Sequence, residues 1–377
     1  MEYVRLEKLV ELKQGLAINS HTNYLVSDHE TKLALLRIAD MPSKRKVVFM
    51  DEDTPDRYIA DEDDIIYTRT GQVGLVFTGQ NGVVHNNCFR VIPIDEQTLS
   101  RKYLFWALSL PEVYYMANIY AAGAAQPDLP HSSFKKIKIP ICSLNNQKRI
   151  VSILSAYDNL IENNNKRIRL LEQMAENLYK EWFVRFRFPG HEKAEFENGL
   201  PKGWAKSPLS EICEFKRGKN ITSDEMCVGN IPVISAGIDV SGYHSKANVK
   251  GVYITMSSSG ANAGYISLHY TDIWAADCSY IDESTTPNIF YVYELLNNLR
   301  AVITNFQRGA AQPHVYPKDI NRIKLVVPNN ELMVEANKKL AVIHKEIHHL
   351  QQQSNLLSRQ RDLLLPRLMS GKLEVNV

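Results

Sequence analysis

Residues 145–183, NNQKRIVSILSAYDNLIENNNKRIRLLEQMAENLYKEWF, carry one long apolar pattern that decides the fold. The apolar positions step by four and three residues in alternation, with Asn164 filling the one gap; they are Ile150, Leu154, Tyr157, Ile161, Ile168, Leu171, Ala175, Leu178 and Trp182. A period of 3.5 residues places these side chains on one narrow stripe of a helix. Such a stripe indicates a partner helix in a left-handed coiled coil.

The partner stripe lies in the same chain, 186 residues further on. Its positions are Ala336, Leu340, Ile343, Ile347, Leu350, Ser354, Leu357, Arg361, Leu364 and Leu368, of which eight are apolar. Polar residues at stripe positions cost stability but fix the register of a coiled coil. Pro366 is expected to end the second helix. The alternative is two ordinary amphipathic helices, each packed on its own domain, which an unbroken pattern of this length disfavours.

The rest of the chain is duplicated as well. The pentapeptide Gly-Ala-Ala-Gln-Pro at residues 123–127 recurs unaltered at 309–313, again 186 residues on. Shorter echoes pair residues 6–15 with 209–218, 64–74 with 252–264, 87–88 with 277–278, and 134–139 with 320–325. The chain is therefore a tandem repeat in the order lobe, helix, lobe, helix.

Within each lobe, short runs of β-branched and aromatic residues lie between glycine-rich and acidic turns, which predicts strands. In the first lobe these runs are 47–49, 65–67, 73–78 and 89–94, while helical patterns cover 99–120 and 291–307. Strands with one or two helices and no regular βαβ alternation predict an α+β lobe with a mixed or antiparallel sheet. We expect two duplicated α+β lobes joined by two long helices that form an antiparallel intramolecular coiled coil with pseudo-two-fold symmetry.

The repeat also predicts the domain boundaries. They are a first lobe at 1–144, a first helix at 145–188, a linker at 189–203, a second lobe at 204–328, a second helix at 329–366 and a tail at 367–377. The linker is short and rich in turn residues, so the second lobe must begin near the end of the first helix. Antiparallel helices then need no long return connection. The stripe from Ile150 to Trp182 would span roughly 50 Å.

Composition restricts the class of protein. A chain of 377 residues should form two or more domains. It contains no run of eighteen apolar residues and no cleavable signal, which predicts a soluble cytoplasmic protein. The five cysteines show no C-x-x-C spacing, so we expect reduced core residues rather than zinc or disulfides. Residues 1–144 and 189–328 carry net charges of −2 and −1, so nucleic-acid binding would need a local basic face or a partner that supplies charge.

No catalytic motif is present in the sequence. Gly371-Lys372 continues with Leu373, which rules out a P-loop, and no Asp/Asn-Pro-Pro-aromatic segment of an amino methyltransferase occurs. The acidic run 61–64 resembles a metal site, but such a run more often forms a solvated turn before a strand. His348-His349 on a helix flank is typical of solvent-facing residues. We predict neither a catalytic residue nor a metal ligand, and an enzyme such as a nuclease is an alternative to be tested.

Several polar loops suit nucleic-acid binding. Lys and Arg bind phosphates, and Arg, Gln, Asn and Ser can also read base edges in the major groove. For any one of these positions an ordinary surface loop is the competing explanation. The candidate DNA-binding residues are Lys44, Arg45, Lys46, Arg69, Thr70, Gln72, Lys216, Arg217, Lys219, Ser257, Ser258 and Asn262.

The chain resembles, from end to end, the DNA-specificity subunits of type I restriction-modification systems. The segments that carry the resemblance are Ile137-Lys-Ile-Pro-Ile, Asn146-Gln-Lys-Arg-Ile, Trp182-Phe-Val-Arg-Phe-Arg-Phe-Pro, Leu200-Pro-Lys-Gly-Trp and Leu363-Leu-Leu-Pro-Arg-Leu-Met-Ser-Gly. Two departures stand out: Glu331-Leu-Met-Val replaces the Gln-x-x-Ile of the first helix, and no Pro-x-Gly-Trp precedes the first lobe. Both suggest that the two halves dock their partners unequally.

The resemblance implies that each lobe is a target recognition domain for one half of a bipartite site in double-stranded DNA. It also implies that the coiled coil sets the spacing and carries two methyltransferase (modification) subunits. Those subunits would bind S-adenosylmethionine and methylate an adenine flipped from the stack. Restriction motor-nuclease subunits would add ATP and magnesium, so this chain itself would hold no cofactor and contact no membrane. A stand-alone coiled-coil DNA-binding or scaffold protein is the alternative.

Overall fold

A computed structural model describes residues 1–123, 126–226, 229–237, 239–309 and 313–373. The chain divides into two compact units, the first comprising Met1–Asn163 with Gln353–Val377 and the second Asn164–Gln352. Parts of both copies of the repeated pentapeptide (Ala124 and Ala125; 310–312) and the predicted reduced cysteine Cys227 lie outside the described residues.

The first unit contains three small sheets. Its strands are β1 (Glu2–Arg5), β2 (Val10–Gln14), β3 (Val26–Ser27), β4 (Leu33–Leu36), β5 (Phe49–Met50), β6 (Ile59–Ala60), β7 (Ile65–Thr68), β8 (Val76–Phe77), β9 (Gly82–Val84), β10 (Cys88–Pro93) and β11 (Lys138–Ile141). The order β2-β10-β7-β8 forms an antiparallel sheet, and β3-β5-β4-β9-β6 forms a mixed sheet in which β4 and β9 run parallel. β1 pairs with β11. These sheets confirm the predicted α+β lobe.

Aromatic residues organise the core of this lobe. Tyr67 and Phe89, on the two central strands, both contact Phe134, with ring centroids 4.7 and 5.0 Å apart. The lobe's helices are α1 (Arg101–Leu108), α2 (Pro111–Tyr120) and α3 (His131–Phe134). The single helical stretch predicted for 99–120 is thus two helices. The break comes before Pro111, which has no N–H for a continuing helix but fits the first turn of a new one.

The second unit repeats this sheet plan. Its strands are β12 (Phe196–Glu197), β13 (Leu200–Pro201), β14 (Ala205–Pro208), β15 (Lys216–Arg217), β16 (Ile231–Ile234), β17 (Val240–His244), β18 (Tyr253–Ser257), β19 (Ile266–His269), β20 (Trp274–Ala275), β21 (Cys278–Asp282) and β22 (Lys324–Val327). The order β15-β21-β18-β19 matches the antiparallel sheet of the first lobe, and β14 pairs with β22 as β1 does with β11. The third sheet, β17-β16-β20, again contains one parallel pair, β16 with β20.

The helices of the second lobe are α5 (Ile289–Asn298), α6 (Arg300–Thr304) and α7 (Pro317–Ile320). The stretch predicted at 291–307 is again divided in two. The first turn of α5 is capped from outside, because the Asn337 side-chain oxygen accepts the backbone N–H groups of Phe290 and Tyr291 at 3.0 and 3.2 Å. This bond satisfies helix-end donors that have no partner within the helix.

Two long helices, α4 (Leu144–Tyr179, followed by a π-helical turn Lys180–Val184) and α8 (Asn330–Met369), contribute to both units. Within the first unit, Arg361 contacts Asp158 at 2.5 Å, while Ile150 and Leu368 line one concavity. Within the second, Arg167 contacts Glu346 at 2.8 Å. In that unit the Lys339 ammonium lies 5.9 Å from the centre of the Trp182 ring. In each unit the helix segments therefore run antiparallel, as the sequence predicts.

The predicted stripe faces inward along both helices. Leu154 and Leu340 are fully buried, and no stripe residue of either helix is exposed. Among the polar stripe positions, Asn164 and Ser354 are buried and Arg361 is engaged with Asp158. The alternative, that each helix packs on its own domain, also holds in part. Side chains of the stripe belong to the lobe cores, and His344 of α8 contacts Glu294 of α5 at 2.8 Å. Each helix segment is thus packed on its partner and on its lobe.

The prediction that Pro366 ends the second helix is wrong. Helix α8 continues to Met369, and the Ser370 N–H donates to the Pro366 carbonyl at 3.0 Å. Proline costs a helix one hydrogen bond and some steric strain. Burial of Leu365, Leu368 and Met369 in the core of the first unit favours the extra turn and offsets that cost.

The predicted linker is more ordered than its composition indicates. Residues 189–203 contain the hairpin β12–β13, and Trp204 stacks on Phe188 at 5.5 Å and meets Phe186 edge-on at 5.4 Å. This aromatic cluster follows α4 directly. In the described part of the chain the cysteines are free thiols. None of the helices in that part could span a lipid bilayer.

A half-buried histidine makes the second unit sensitive to acid. Burial lowers the pKa of His269 from 6.5 to about 4, and its Nε2 lies 2.8 Å from the Thr255 hydroxyl. The folded state therefore resists protonation that the unfolded chain accepts. The contribution of His269 to the free energy of unfolding is fully present above pH 6.5. It is lost as the pH falls from 6.5 towards 4, and the loss amounts to about 3 kcal/mol.

We expect His269→Gln to remove that part of the acid sensitivity. The measurement is urea unfolding at pH 7 and pH 4.5, comparing the difference between the two free energies with that of the unsubstituted chain. His21→Gln, at an exposed position, serves as the control and should leave the difference unchanged. An unaltered pH dependence in the His269 variant would show that other groups cause it.

Candidate nucleic-acid interface

A pair of loops at the strand ends of the first lobe forms a bonded frame. The loop after β7 bridges to the segment after the pentapeptide, at Thr70 and Asp128. The Gly71 N–H donates to the Pro127 carbonyl at 2.9 Å, and the Leu129 N–H donates to the Arg69 carbonyl at 2.9 Å. We call this arrangement of residues 69–71 with 127–129 the loop frame of the first lobe.

The second lobe holds an equivalent loop frame, residues 258–260 with 313–315. Ser259 bridges to His314, as Thr70 does to Asp128. The Gly260 N–H donates to the Pro313 carbonyl at 2.9 Å, and the Val315 N–H donates to the Ser258 carbonyl at 3.0 Å. The backbone bonds therefore correspond one to one between the two lobes.

One glycine directly follows β2, and another directly follows β15. A Cβ atom on Gly15 would come within 2.2 Å of the His85 carbonyl oxygen, and one on Gly218 within 2.3 Å of the Ala276 carbonyl oxygen. Their N–H groups donate to Cys88 and Cys278 at 3.1 and 2.8 Å. Only glycine allows backbones to approach so closely, which explains why both copies of the repeated segment end in this residue.

The side chains on the first frame form an ion-pair network. Arg69 contacts Asp128 through two parallel bonds, Nε to Oδ1 at 3.2 Å and Nη2 to Oδ2 at 2.6 Å. Its Nη1 donates to Gln14 at 3.0 Å, and the Thr70 hydroxyl donates to Asp128 at 2.6 Å. Partial burial favours the neutral acid, but the bonds from Arg69 and Thr70 outweigh it and hold the pKa of Asp128 below its usual value. Arg69 and Thr70 were predicted site residues, and the structure brings them together.

The second frame carries different side chains. The Ser259 hydroxyl donates to Asp277 at 2.7 Å, and Ser258 lies 3.4 Å from the Ser279 hydroxyl. The predicted contact residues Ser257 and Ser258 are both buried, and the Ser257 hydroxyl donates to the Ala236 carbonyl at 2.5 Å. In this structure neither serine presents its hydroxyl to a partner, since both hydroxyls bond within the lobe.

The predicted basic turn of the second lobe divides into bound and exposed residues. The Lys216 ammonium contacts Asp282 at 3.3 Å and Ser284 at 2.5 Å, so its charge is already compensated. Arg217 is exposed, and Lys219 is exposed with its ammonium 6.0 Å from the Trp274 ring centre. Arg217 and Lys219 are thus the cations that this turn offers to a partner.

The predicted basic loop of the first lobe lies between β4 and β5. Lys44, Arg45 and Lys46 are all exposed, and Lys44 takes a left-handed backbone conformation with φ of 52° at the end of a short 3₁₀ turn. The Arg45 N–H donates to the Asp40 carbonyl at 3.0 Å. This loop presents three adjacent cations to solvent, which suits a phosphate backbone.

Two further predicted residues have polar side chains that solvent can reach. Gln72 is exposed at the tip of the first frame's loop, and Asn262 is half-buried in the short turn after the second frame. Amide side chains can both donate to and accept from base edges. In the described part of the chain, no group of three His, Cys, Asp or Glu residues could hold a metal ion.

Sequence reasoning missed Gln14 and Asp128, which hold Arg69. A signal was present in the repeat. The residue after the unaltered pentapeptide changes from Asp128 in the first copy to His314 in the second. A position that differs directly beside an identical segment indicates a shared backbone with altered side-chain chemistry.

The comparisons with known proteins agree with this duplicated plan. The family model "Type I restriction modification DNA specificity domain" matches residues 1–173 and again 201–357. The MjaIX type I restriction enzyme specificity subunit of Methanocaldococcus jannaschii is 26% identical over 336 residues, covering 82% of this chain and 78% of its own. The HindI specificity subunit of Haemophilus influenzae is 19% identical over 398 residues, covering 82% and 86%. A solved S subunit of a type I system from M. genitalium has a similar fold, with a TM-score of 0.65 and 19% identity over 98% of this chain and 96% of that one.

Proposed function

Because this chain belongs to the family of DNA specificity subunits of type I restriction-modification systems, we propose that each of its lobes reads one half of a bipartite sequence in double-stranded DNA. Such subunits are the non-catalytic DNA-recognition components of their systems.

The observation that carries the proposal is the pair of loop frames. The same backbone bonds recur in both lobes, yet the polar positions differ: Arg69 and Asp128 in one correspond to Ser258 and His314 in the other. A shared frame with different donors and acceptors is what two readers of unlike sequences require. We therefore expect the two half-sites to differ in sequence.

Exposed cations in each lobe would neutralise phosphates. In the first lobe these are Lys44, Arg45 and Lys46, and in the second they are Arg217 and Lys219. Gln72 and Asn262, whose amide side chains solvent can reach, are candidates for base contacts. Since residues 1–144 and 189–328 carry net charges of −2 and −1, partner subunits would supply much of the remaining phosphate neutralisation.

The proposed partners are two methyltransferase subunits and the restriction motor-nuclease subunits. The paired helices α4 and α8 would carry the methyltransferases and set the spacing between half-sites. S-adenosylmethionine would bind to the methyltransferases, and ATP and magnesium to the motor-nuclease, so that this chain holds none of these. The complex would act on DNA in the cytoplasm.

Co-expression with the methyltransferase subunit of its system tests this function. We expect a stable complex that methylates adenines in one split sequence, identified by sequencing the modified bases of the host genome. Deleting this chain should abolish all methylation of that sequence. A chain that forms no complex but binds DNA alone would favour a stand-alone DNA-binding or scaffold protein, and nicking of plasmid by the chain with magnesium alone would favour a nuclease.

A further inference from the structure

We propose that Arg69, held in place by Asp128 and Gln14, reads a guanine in the half-site of the first lobe. The inference rests on the proposed DNA-reading function and deepens it, by naming one specificity-determining residue and the base that it recognises. Asp128 and Gln14 act as positioning residues, because they contact Arg69 and not the base.

The guanidinium of Arg69 has more hydrogen-bond donors than its protein partners use. A guanidinium carries five N–H donors and no acceptor. Asp128 takes the donor on Nε and one on Nη2, and Gln14 takes one on Nη1. One N–H on Nη1 and one on Nη2 are left, and no other residue in the described ranges of the chain accepts them. The Arg69 side chain is 22% exposed, so solvent reaches it.

The two unused donors of Arg69 match the major-groove edge of guanine. Guanine presents two adjacent acceptors, O6 and N7, on its major-groove edge, and a bidentate arginine is the commonest specific contact to them. The three existing bonds already fix the side chain, so binding loses little rotamer entropy. A guanidinium held in a fixed position, with one unused donor on each terminal nitrogen, is suited to this edge.

Arginine also binds phosphates in bidentate fashion, but the surroundings of Arg69 favour a base over a phosphate. Asp128 is ionised at neutral pH and lies 2.6 Å from Nη2, so it cancels most of the charge that would attract a phosphate. A carboxylate so close would also repel a phosphate oxygen. Within the described residues, the exposed cations Lys44, Arg45 and Lys46 make no ion pair and are better phosphate ligands.

The second lobe cannot make the same contact. Ser258 and His314 replace Arg69 and Asp128 on its frame, and the Ser258 side chain is buried against Ser279. The guanine is therefore expected in the half-site of the first lobe, and the second half-site should be insensitive to changes at Arg69.

The experiment uses the complex of the full chain with its methyltransferase subunits. Methylation rates are measured on duplexes in which each base pair of both half-sites is replaced in turn. In Arg69→Ala we expect the preference for guanine at one position to fall roughly 5- to 150-fold, with every other position unchanged. Arg69→Lys keeps the charge without the two-donor fork and should not restore the preference.

Asp128→Asn tests the positioning role. It leaves the guanidinium in place and removes its counter-charge, so we expect a smaller loss of preference at the same position. We also expect methylation to depend more steeply on salt, because Arg69 then carries a free charge near the phosphates. Arg5→Ala is the matched control, since it removes an exposed arginine of the same lobe that pairs with Glu7 at 3.5 Å, and it should change nothing.

Three outcomes would overturn the inference. A uniform loss in Arg69→Ala across all positions, with a shallower salt dependence, would make Arg69 a phosphate contact. A lower unfolding temperature with unchanged base preferences would make its network structural only. A changed base preference of Arg69→Ala in the half-site of the second lobe would show that Arg69 does not read the half-site of the first lobe. If the unsubstituted complex methylates no sequence, the proposed function fails, which is a result distinct from these three.

Discussion

Inserting one heptad into each long helix is expected to lengthen the spacer of the recognised DNA sequence and to leave both half-sites unchanged. The sites are Asn163/Asn164 in α4 and Gln352/Gln353 in α8, where the boundary between the two units crosses each helix. Seven residues keep the apolar stripe in phase. They add roughly 10 Å to each helix, which corresponds to about three base pairs.

Methylation of the original sequence should fall on the order of a thousandfold or more, because one lobe would lose its half-site. A new sequence with the longer spacer should be methylated, more weakly than the original, since three base pairs also turn the duplex by about a third of a helical repeat. The measurement is the genome-wide map of methylated adenines in cells that carry the altered chain.

The matched control is a seven-residue insertion at Asn198-Gly199, in the turn of the β12–β13 hairpin. It adds the same length of chain but leaves α4 and α8 as they are, so the spacer should stay unchanged. If the heptad insertions fold and still methylate the original spacer, the helices do not set the spacing and this part of the proposal fails.

Replacing Asp64 by asparagine is expected to lower the free energy of unfolding of the first unit by about 3–5 kcal/mol. Asp64 lies 2.8 Å from Arg90, and the two side chains are only 7% and 10% exposed. Arg101 adds a second contact at 3.6 Å. The amide introduced by the substitution is neutral, so the buried charge of Arg90 would have no counter-charge. Because a domain is stable by only about 5–15 kcal/mol, we expect the first lobe to be partly unfolded near 37 °C.

Urea unfolding, followed by the fluorescence of Trp106 and by hydrogen exchange of the β7 and β10 amides, measures this loss. Glu96→Gln is the control, because Glu96 also pairs with an arginine, Arg101 at 3.0 Å, but is 55% exposed. It should cost less than about 1 kcal/mol. Adding Arg90→Met to Asp64→Asn should recover part of the stability, and a fully stable Asp64→Asn variant would contradict the argument.

The fold was largely predictable because its strongest signals are periodic. The stripe from Ile150 to Trp182 and its copy indicate two paired helices without reference to anything else in the chain. The interruption before Pro111 and the continuation through Pro366 show the limit of local rules. A proline permits a helix break at both positions. At Pro366 the helix continues because Leu368, beyond it, packs into the core of the first unit. The parallel pairing of β4 with β9 depends on residues far apart in sequence, and no local pattern indicates it.

The candidate site was predictable only in outline, because residue type does not show burial. Ser257 and Ser258 are suited to contact DNA, but the structure directs their hydroxyls inward. Asp64 belongs to an acidic run that is typical of a solvated turn, yet it is the buried partner of Arg90. Asp128 lies 59 positions from Arg69, so only the folded chain shows that the two form one unit.

The backbone frames also suggest how the recognised DNA sequence could be changed by engineering. The bonds that hold each frame join main-chain atoms, among them the N–H of Gly71 in the first lobe. The side chains at positions 14, 69, 70 and 128, in contrast, bond to one another. A combinatorial library restricted to those four positions would vary the chemistry without disturbing the scaffold. Selecting such a library for growth-neutral methylation of chosen chromosomal loci would yield programmable modification enzymes from one parent.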